Sequence, residues 1–154
     1  MRTLKFFIPY RVAAKQSFRA GKAFTKGGGR RFGGYKDPKV EVNEKALAAL
    51  CCPHRPREPL QGTLRQRLVF QYAWRKREHK RWLDYGSRPK NTKPDYEQLC
   101  KQINDAMEAM GFFTDDAIIA EAHVWKLWCC VPGVQVYLEE LGDETHVGPQ
   151  PATR

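Results

Sequence analysis

The stretch KPDYEQLCKQINDAMEAMGFFTDDAIIAEAHVWKLW, residues 93–128, decides the fold. Leu99, Ile103, Ala106, Met107 and Met110 recur at i, i+4, i+7, i+8 and i+11, which is the spacing of one helix face. A helix is therefore expected from Asp95 to Met110, ended by Gly111. AIIAEAHVWKLW is enriched in apolar and β-branched residues and is expected to be a strand. Acids stand at both ends of the helix, Asp95 and Glu97 at its start and Asp115 and Asp116 after its end. Lys101 lies between them.

Working outward, CVPG makes a turn into VQVYLEEL, whose alternation predicts a further strand. Upstream, TLRQRLVFQYAW alternates with Leu64, Leu68, Phe70 and Tyr72 inward, and VEVNEKALAALCC carries apolar residues at helical spacing before PHRPREP stops it. TLKFFIPY near the N-terminus suits a first strand. Between Tyr10 and Tyr35 six glycines stand among Lys and Arg, which reads as a basic loop. No Gly-Lys-Ser/Thr closes its triple glycine, so it is not a phosphate-binding P-loop. The expected fold is α/β (α+β): a two-layer sandwich of two main helices on a small mixed β-sheet of about four strands. One domain is expected over 1–141, with the basic loop at 10–35 and a disordered tail at 142–154.

The 154 residues hold 27 Lys and Arg against 17 Asp and Glu, a net charge of +10. Such an excess is the footprint of a nucleic-acid binder. No run approaches the roughly 20 apolar residues of a membrane span, and the apolar part of the N-terminus is too short for a signal peptide, so a cytoplasmic protein without a membrane partner is expected. Five cysteines in such a compartment argue for thiols packed in the core or at a subunit interface, and neither CC pair has the gap of a zinc knuckle. Arg30, Arg31, Arg75, Lys76, Arg77, Lys80 and Lys93 are candidate phosphate contacts. Those from 75 to 80 lead into Trp82 and Tyr85, aromatics suited to stacking on bases.

The acids have two readings. Asp95 followed by Gln98 is a capping box, Glu97 and Lys101 are an ordinary i, i+4 pair, and Thr114-Asp115-Asp116 is a polar turn before a strand. Alternatively, Asp95 held extended at the cap converges with Glu97, and the returning chain brings Asp116 beside them. Several carboxylates around one cavity suit a hard cation such as Mg²⁺ or Mn²⁺, which can lower the pKa of a water and neutralise a leaving oxygen at a phosphodiester.

The central block, followed by PGVQVYLEE, resembles the RusA-type Holliday-junction resolvases, crossover-junction endodeoxyribonucleases of phages and prophages. The family pattern is roughly Pro-Asp-x-Asp-Asn-Leu-x-Lys, then Asp-Ala, Gly, Asp-Asp, a strand with Lys, and a Pro-Gly strand. Pro94, Asp95, Leu99, Lys101, Asp105, Ala106, Gly111, Asp115, Asp116, Lys126, Pro132 and Gly133 fit it in order. FFIPYRVAAKQSFR is similar to the family's N-terminus, with Lys15 and Arg19 in its basic positions.

The resemblance implies that Asp95, Glu97, Lys101 and Asp116 are catalytic, that Asp95, Glu97, Asp115 and Asp116 hold Mg²⁺ or Mn²⁺, and that Lys15, Arg19 and Lys126 join the DNA-binding set. It also implies a homodimer cutting opposing strands of a four-way junction in recombination and repair. Glu97 and Gln98 stand where the family has Asp and Asn. The rival expectations are a non-catalytic nucleic-acid-binding protein, and a nuclease preferring forks or flaps.

Overall fold

The computed structural model describes residues 1–12, 19–24, 30–35, 38–76 and 86–142. The chain runs β1 (Thr3–Ile8), β2 (Arg19–Phe24), β3 (Arg30–Tyr35), α1 (Pro38–Cys51), β4 (Thr63–Ala73), β5 (Ser87–Pro89), α2 (Tyr96–Ala109), β6 (Ile119–Cys129) and β7 (Gly133–Leu141). Short 3₁₀ turns follow α1 at Cys52–His54 and precede β6 at Asp116–Ile118.

β4 shows why the sheet forms. Leu64, Gln66, Leu68, Phe70 and Tyr72 are buried and alternate with residues that are not, so one face of the strand is covered and the other is left more open. The covering layer is α1 and α2, with Leu47 and Cys51 from the first and Leu99, Ile103, Ala106 and Met107 from the second entering the same core as Phe6, Ile8, Val136 and Leu138. The sheet order is β1-β7-β4-β6-β5. Only β4 and β6 are parallel, with Leu68 opposite Val124 and Phe70 opposite Lys126, so the sheet is mixed. It has five strands, one more than expected. The addition is β5, a three-residue strand on the far side of β6, within a stretch read as loop.

The glycine-rich segment 10–35 also departs from its reading as a loop, for it contains the antiparallel pair β2–β3, in which Gly21 lies opposite Gly33. Arg19, Arg30 and Arg31 are ladder residues of that pair, opposite Tyr35, Phe24 and Ala23. Lys15, Arg77, Lys80, Trp82 and Tyr85, and the expected tail from 143 onward, lie outside the described residues. No helix among the described residues is long and apolar enough to cross a membrane.

The placement of α2 is set at three points. At its C-terminus Gly111 adopts φ +75°, its N–H donates to Glu108 O at 2.9 Å, and Phe112 N–H reaches back to Met107 O at 3.0 Å. This is a Schellman closure, with buried Phe112 and Met107 as its apolar partners. Leu60 N–H then donates to Phe112 O at 2.7 Å, which pins this end of the helix beside the start of β4. In mid-helix, Asn104 Oδ1 accepts from Nε2 of buried Gln66 at 2.8 Å. This is a polar tie that fixes the helix along the strand, since a slip would strand a buried amide without its partner.

Candidate active site

The N-terminal end of α2 is built by two lysines. β5 leaves the sheet at Pro89, and Lys90 N–H donates to Lys126 O at 2.8 Å. The Lys90 side chain turns inward, only 6% exposed, and its ammonium lies 4.5 Å from the centre of the Trp128 ring and 5.0 Å from that of Tyr72. Lys90 Nζ donates to Thr92 O at 3.0 Å, to the Thr92 hydroxyl and to Lys93 O. Lys126 Nζ donates to Thr92 O at 3.0 Å and to Pro94 O at 2.7 Å. Burial holds the Lys90 ammonium below its ordinary pKa, and the like charges of Lys126, Arg75 and Arg11 push the same way.

These contacts curl residues 92–94, with a cis bond between Lys93 and Pro94, and deliver Asp95 to the helix N-cap at φ −72°, ψ 141°. The extended cap conformation is the one expected. The capping box is not made, because the Asp95 carboxylate accepts no helix N–H and pairs instead with Lys93 across the turn. Glu97 and Lys101 are exposed on the first turns of α2, and no ion pair joins them. Asp95, Glu97 and Lys101 therefore share one end of the helix with their charged groups turned to solvent.

Asp115 and Asp116 lie at the other end. Asp115, at φ −156° and ψ 135°, caps the 3₁₀ turn by accepting from Ala117 N–H at 2.8 Å. Its other carboxylate oxygen is left over. Asp116 is exposed at the first position of that turn. β6 then runs from this point to Lys126, which touches Pro94, so the strand returns along the helix in the opposite direction. The 14 residues of α2 are about 21 Å long at 1.5 Å per residue. The return imagined from the sequence does not bring Asp116 beside Asp95 within one chain. Among the described residues no three of His, Cys, Asp and Glu come close enough together to hold a metal ion.

Of the remaining basic candidates, Lys93 is exposed and faces Asp95, Arg75 lies 4.9 Å over the Trp128 ring, and Lys76 is exposed at the end of β4. Lys126 is half-buried with its ammonium committed to two backbone carbonyls. Lys90 carries no sequence signal, because nothing but its burial separates it from the other cations between 75 and 93. Cys51 and Cys129 are buried and Cys52 and Cys130 exposed, and burial raises the Cys51 thiol to about 11.

Compared with known families, residues 9–139 of the 154 match the model of the endodeoxyribonuclease RusA. The chain belongs to the RusA endodeoxyribonuclease family. RusA enzymes resolve Holliday junctions and in general depend on a divalent metal. The match runs from Pro9 through both acidic ends of α2 to Glu139, so the five-stranded sheet lies inside it except for the first strand and the last two residues of β7. No curated protein matches the chain.

Proposed function

We propose that this RusA-family chain is a structure-selective endonuclease that uses Mg²⁺ or Mn²⁺ to cut opposing strands of a four-way DNA junction symmetrically, as a homodimer, in cytoplasmic recombination and repair. The observation that carries the reading is the state of Asp95. Its backbone is held at a helix cap by two lysines, yet its carboxylate does no capping and pairs only with the exposed Lys93 side chain, so the fold presents a solvent-facing acid that the helix does not use.

The donor set fits a hard divalent cation: Asp95 and Glu97 at one end of α2, Asp116 and the spare oxygen of Asp115 at the other, all carboxylates. One chain holds these as two half-sites. A two-fold dimer that sets the Asp95 end of one subunit against the Asp116 end of its partner completes two equivalent sites. β6 offers a seam for it. Lys126 O turns outward to Lys90, and by the alternation of a strand the backbone groups of Ala122 and Val124 turn the same way, with no partner among the described residues. Antiparallel pairing of this edge with its copy places residue 116 of one chain toward residue 126 of the other.

The cation, when bound, supplies a water of lowered pKa and neutralises charge at the leaving oxygen. Asp95 and Glu97 of one chain and Asp116 of the other would hold it. Lys101 supplies a fixed positive charge for the oxygens of the phosphate as the bond breaks. Arg75, Lys76 and Lys93, with Lys15, Arg19, Arg30, Arg31, Arg77 and Lys80, supply the cations along which the DNA backbone lies, and the acids are tolerated inside this surface because the metal screens them.

The deciding experiment is cleavage of an end-labelled four-way junction with Mg²⁺, with Mn²⁺ and with EDTA, beside linear duplex and a fork, for the wild type and Asp95→Asn. Paired nicks that need metal, spare duplex and vanish in the variant while junction binding persists are expected. Binding without metal-dependent cutting would leave a nucleic-acid-binding protein whose acids cap turns, as Asp115 does. Faster cutting of the fork would move the substrate to forks or flaps.

A further inference from the structure

We infer that Lys90 is a positioning residue for the Asp95 carboxylate, acting with Lys126 to hold residues 92–94 in the one conformation that places Asp95 at the helix N-cap with its carboxylate uncommitted to the helix and turned to solvent, where it would hold the metal. The inference deepens the proposed reading and rests on it for the role of Asp95.

Lysine is almost never fully buried without a carboxylate partner. Lys90 is buried, and the groups that receive its ammonium are the oxygens of Thr92 and Lys93, with no acid among them. The faces of Tyr72 and Trp128 attract the ammonium, but burial opposes its charge, and Lys126, Arg75 and Arg11 are near enough to repel it. An apolar side chain of similar length would satisfy Tyr72 and Trp128 without the desolvation cost. The ammonium therefore has to be explained by what it holds.

Between them the two lysines take four oxygens from three consecutive residues: Thr92 O, which they share, the Thr92 hydroxyl, Lys93 O and Pro94 O. Carbonyls gathered around two cations cannot swing away without abandoning buried charge, and this fixes the direction in which the chain enters α2. The next residue is Asp95. A misplacement of about 1 Å at a reacting centre can cost on the order of 100-fold in rate, so rigidity here has a catalytic consequence. Lys90 is too deeply buried to reach a DNA phosphate itself, which separates it from the surface cations around it.

The test compares wild type with Lys90→Met, which keeps the contacts on the rings and removes the donors, with Lys90→Gln, which keeps a donor at shorter reach, and with Lys126→Met. Hydrogen exchange of amides 91–97, thermal midpoint, junction affinity, cutting rate per folded molecule and the Mn²⁺ concentration for half-maximal cutting are measured on each. Lys90→Met is expected to speed exchange in 91–97, lower cutting by about 10–100-fold and raise the half-saturating Mn²⁺, with junction affinity within about two-fold of wild type. Lys90→Gln should lie between. Lys126→Met should repeat the pattern, and the double variant should lose little more than the worse single, because both act on one segment.

A fall in thermal midpoint with cutting per folded molecule unchanged would make Lys90 a core lysine only. Loss of junction binding in step with cutting would make it a DNA contact. Either result overturns the inference, as does unchanged exchange. If the wild type itself does not cut, the endonuclease reading fails, and the exchange of 91–97 still decides whether Lys90 holds the loop.

Discussion

Asp95 precedes α2 and Asp116 follows it, at opposite ends of a helix about 21 Å long. If each metal site takes Asp95 from one subunit and Asp116 from the other, the two substitutions complement. Asp95→Asn and Asp116→Asn homodimers should both be inactive. Their mixture should contain heterodimers with one intact site and one doubly disabled site, which nick one strand of a junction without its opposite. Gel analysis of the two labelled strands after co-refolding reads this out, and a dead mixture would place all ligands of a site in one chain.

Glu97 is one methylene longer than the Asp of the family pattern and sits exposed in the first turn of α2. Glu97→Gln keeps the reach and removes the charge, and should lower cutting by roughly 100-fold or more, with junction binding retained. Glu97→Asp keeps the charge and withdraws it by about 1 Å. It should retain cutting and change the ratio of Mg²⁺- to Mn²⁺-supported rates, because Mg²⁺ tolerates less departure from octahedral geometry. Equal loss in both variants would show that reach and charge are jointly required.

Gly133 opens β7 where it meets β1, and a Cβ built on it would stand 2.2 Å from Phe7 Cζ and 2.7 Å from Ile8 O. The phenyl ring could turn away, but the carbonyl belongs to a strand backbone. Gly133→Ala should therefore force the β1–β7 pair apart and destabilise the fold by about 1–3 kcal/mol, measured by urea unfolding, while leaving the site at α2 intact in the folded fraction. A neutral result would mean that β1 shifts freely against β7.

The parts of this fold that can be read from the sequence are those where one element carries its own pattern. The alternation of β4 and β7 and the 3.6 period of α2 each follow from a single covered face. β5 is three residues ending in Pro89 and exists only because β6 has an edge to receive it. β2 and β3 pair through Gly21 and Gly33, which offer no side-chain pattern to read. The same division runs through the candidate site. The extended Asp95 and the turn at Asp115 follow from local chemistry. That α2 and β6 hold the two acidic pairs apart depends on β6 lying parallel to β4, and the importance of Lys90 depends on Tyr72 and Trp128, residues distant in sequence.

Glu140 gives the fold an acid limit. Its carboxylate takes two bonds from the Arg2 guanidinium, at 2.6 and 3.0 Å, and others from the N–H groups of Gln61 at 2.9 Å and Arg2 at 3.2 Å, so it ties the N-terminus and the approach to β4 onto the end of β7. Foremost the bond from Arg2, then the Gln61 N–H and the Arg2 charge, hold it down to about 2 from an ordinary 4.5. A carboxylate with a depressed folded-state pKa binds protons more readily when unfolded. Its contribution is thus fully present above about 4.5 and is lost as pH falls toward about 2. Glu140→Gln cannot titrate, so it should be less stable than wild type at neutral pH, and the two thermal midpoints should converge as pH falls through that window. Parallel midpoint curves between pH 5 and 2.5 would mean that the Arg2–Glu140 contact adds nothing to stability.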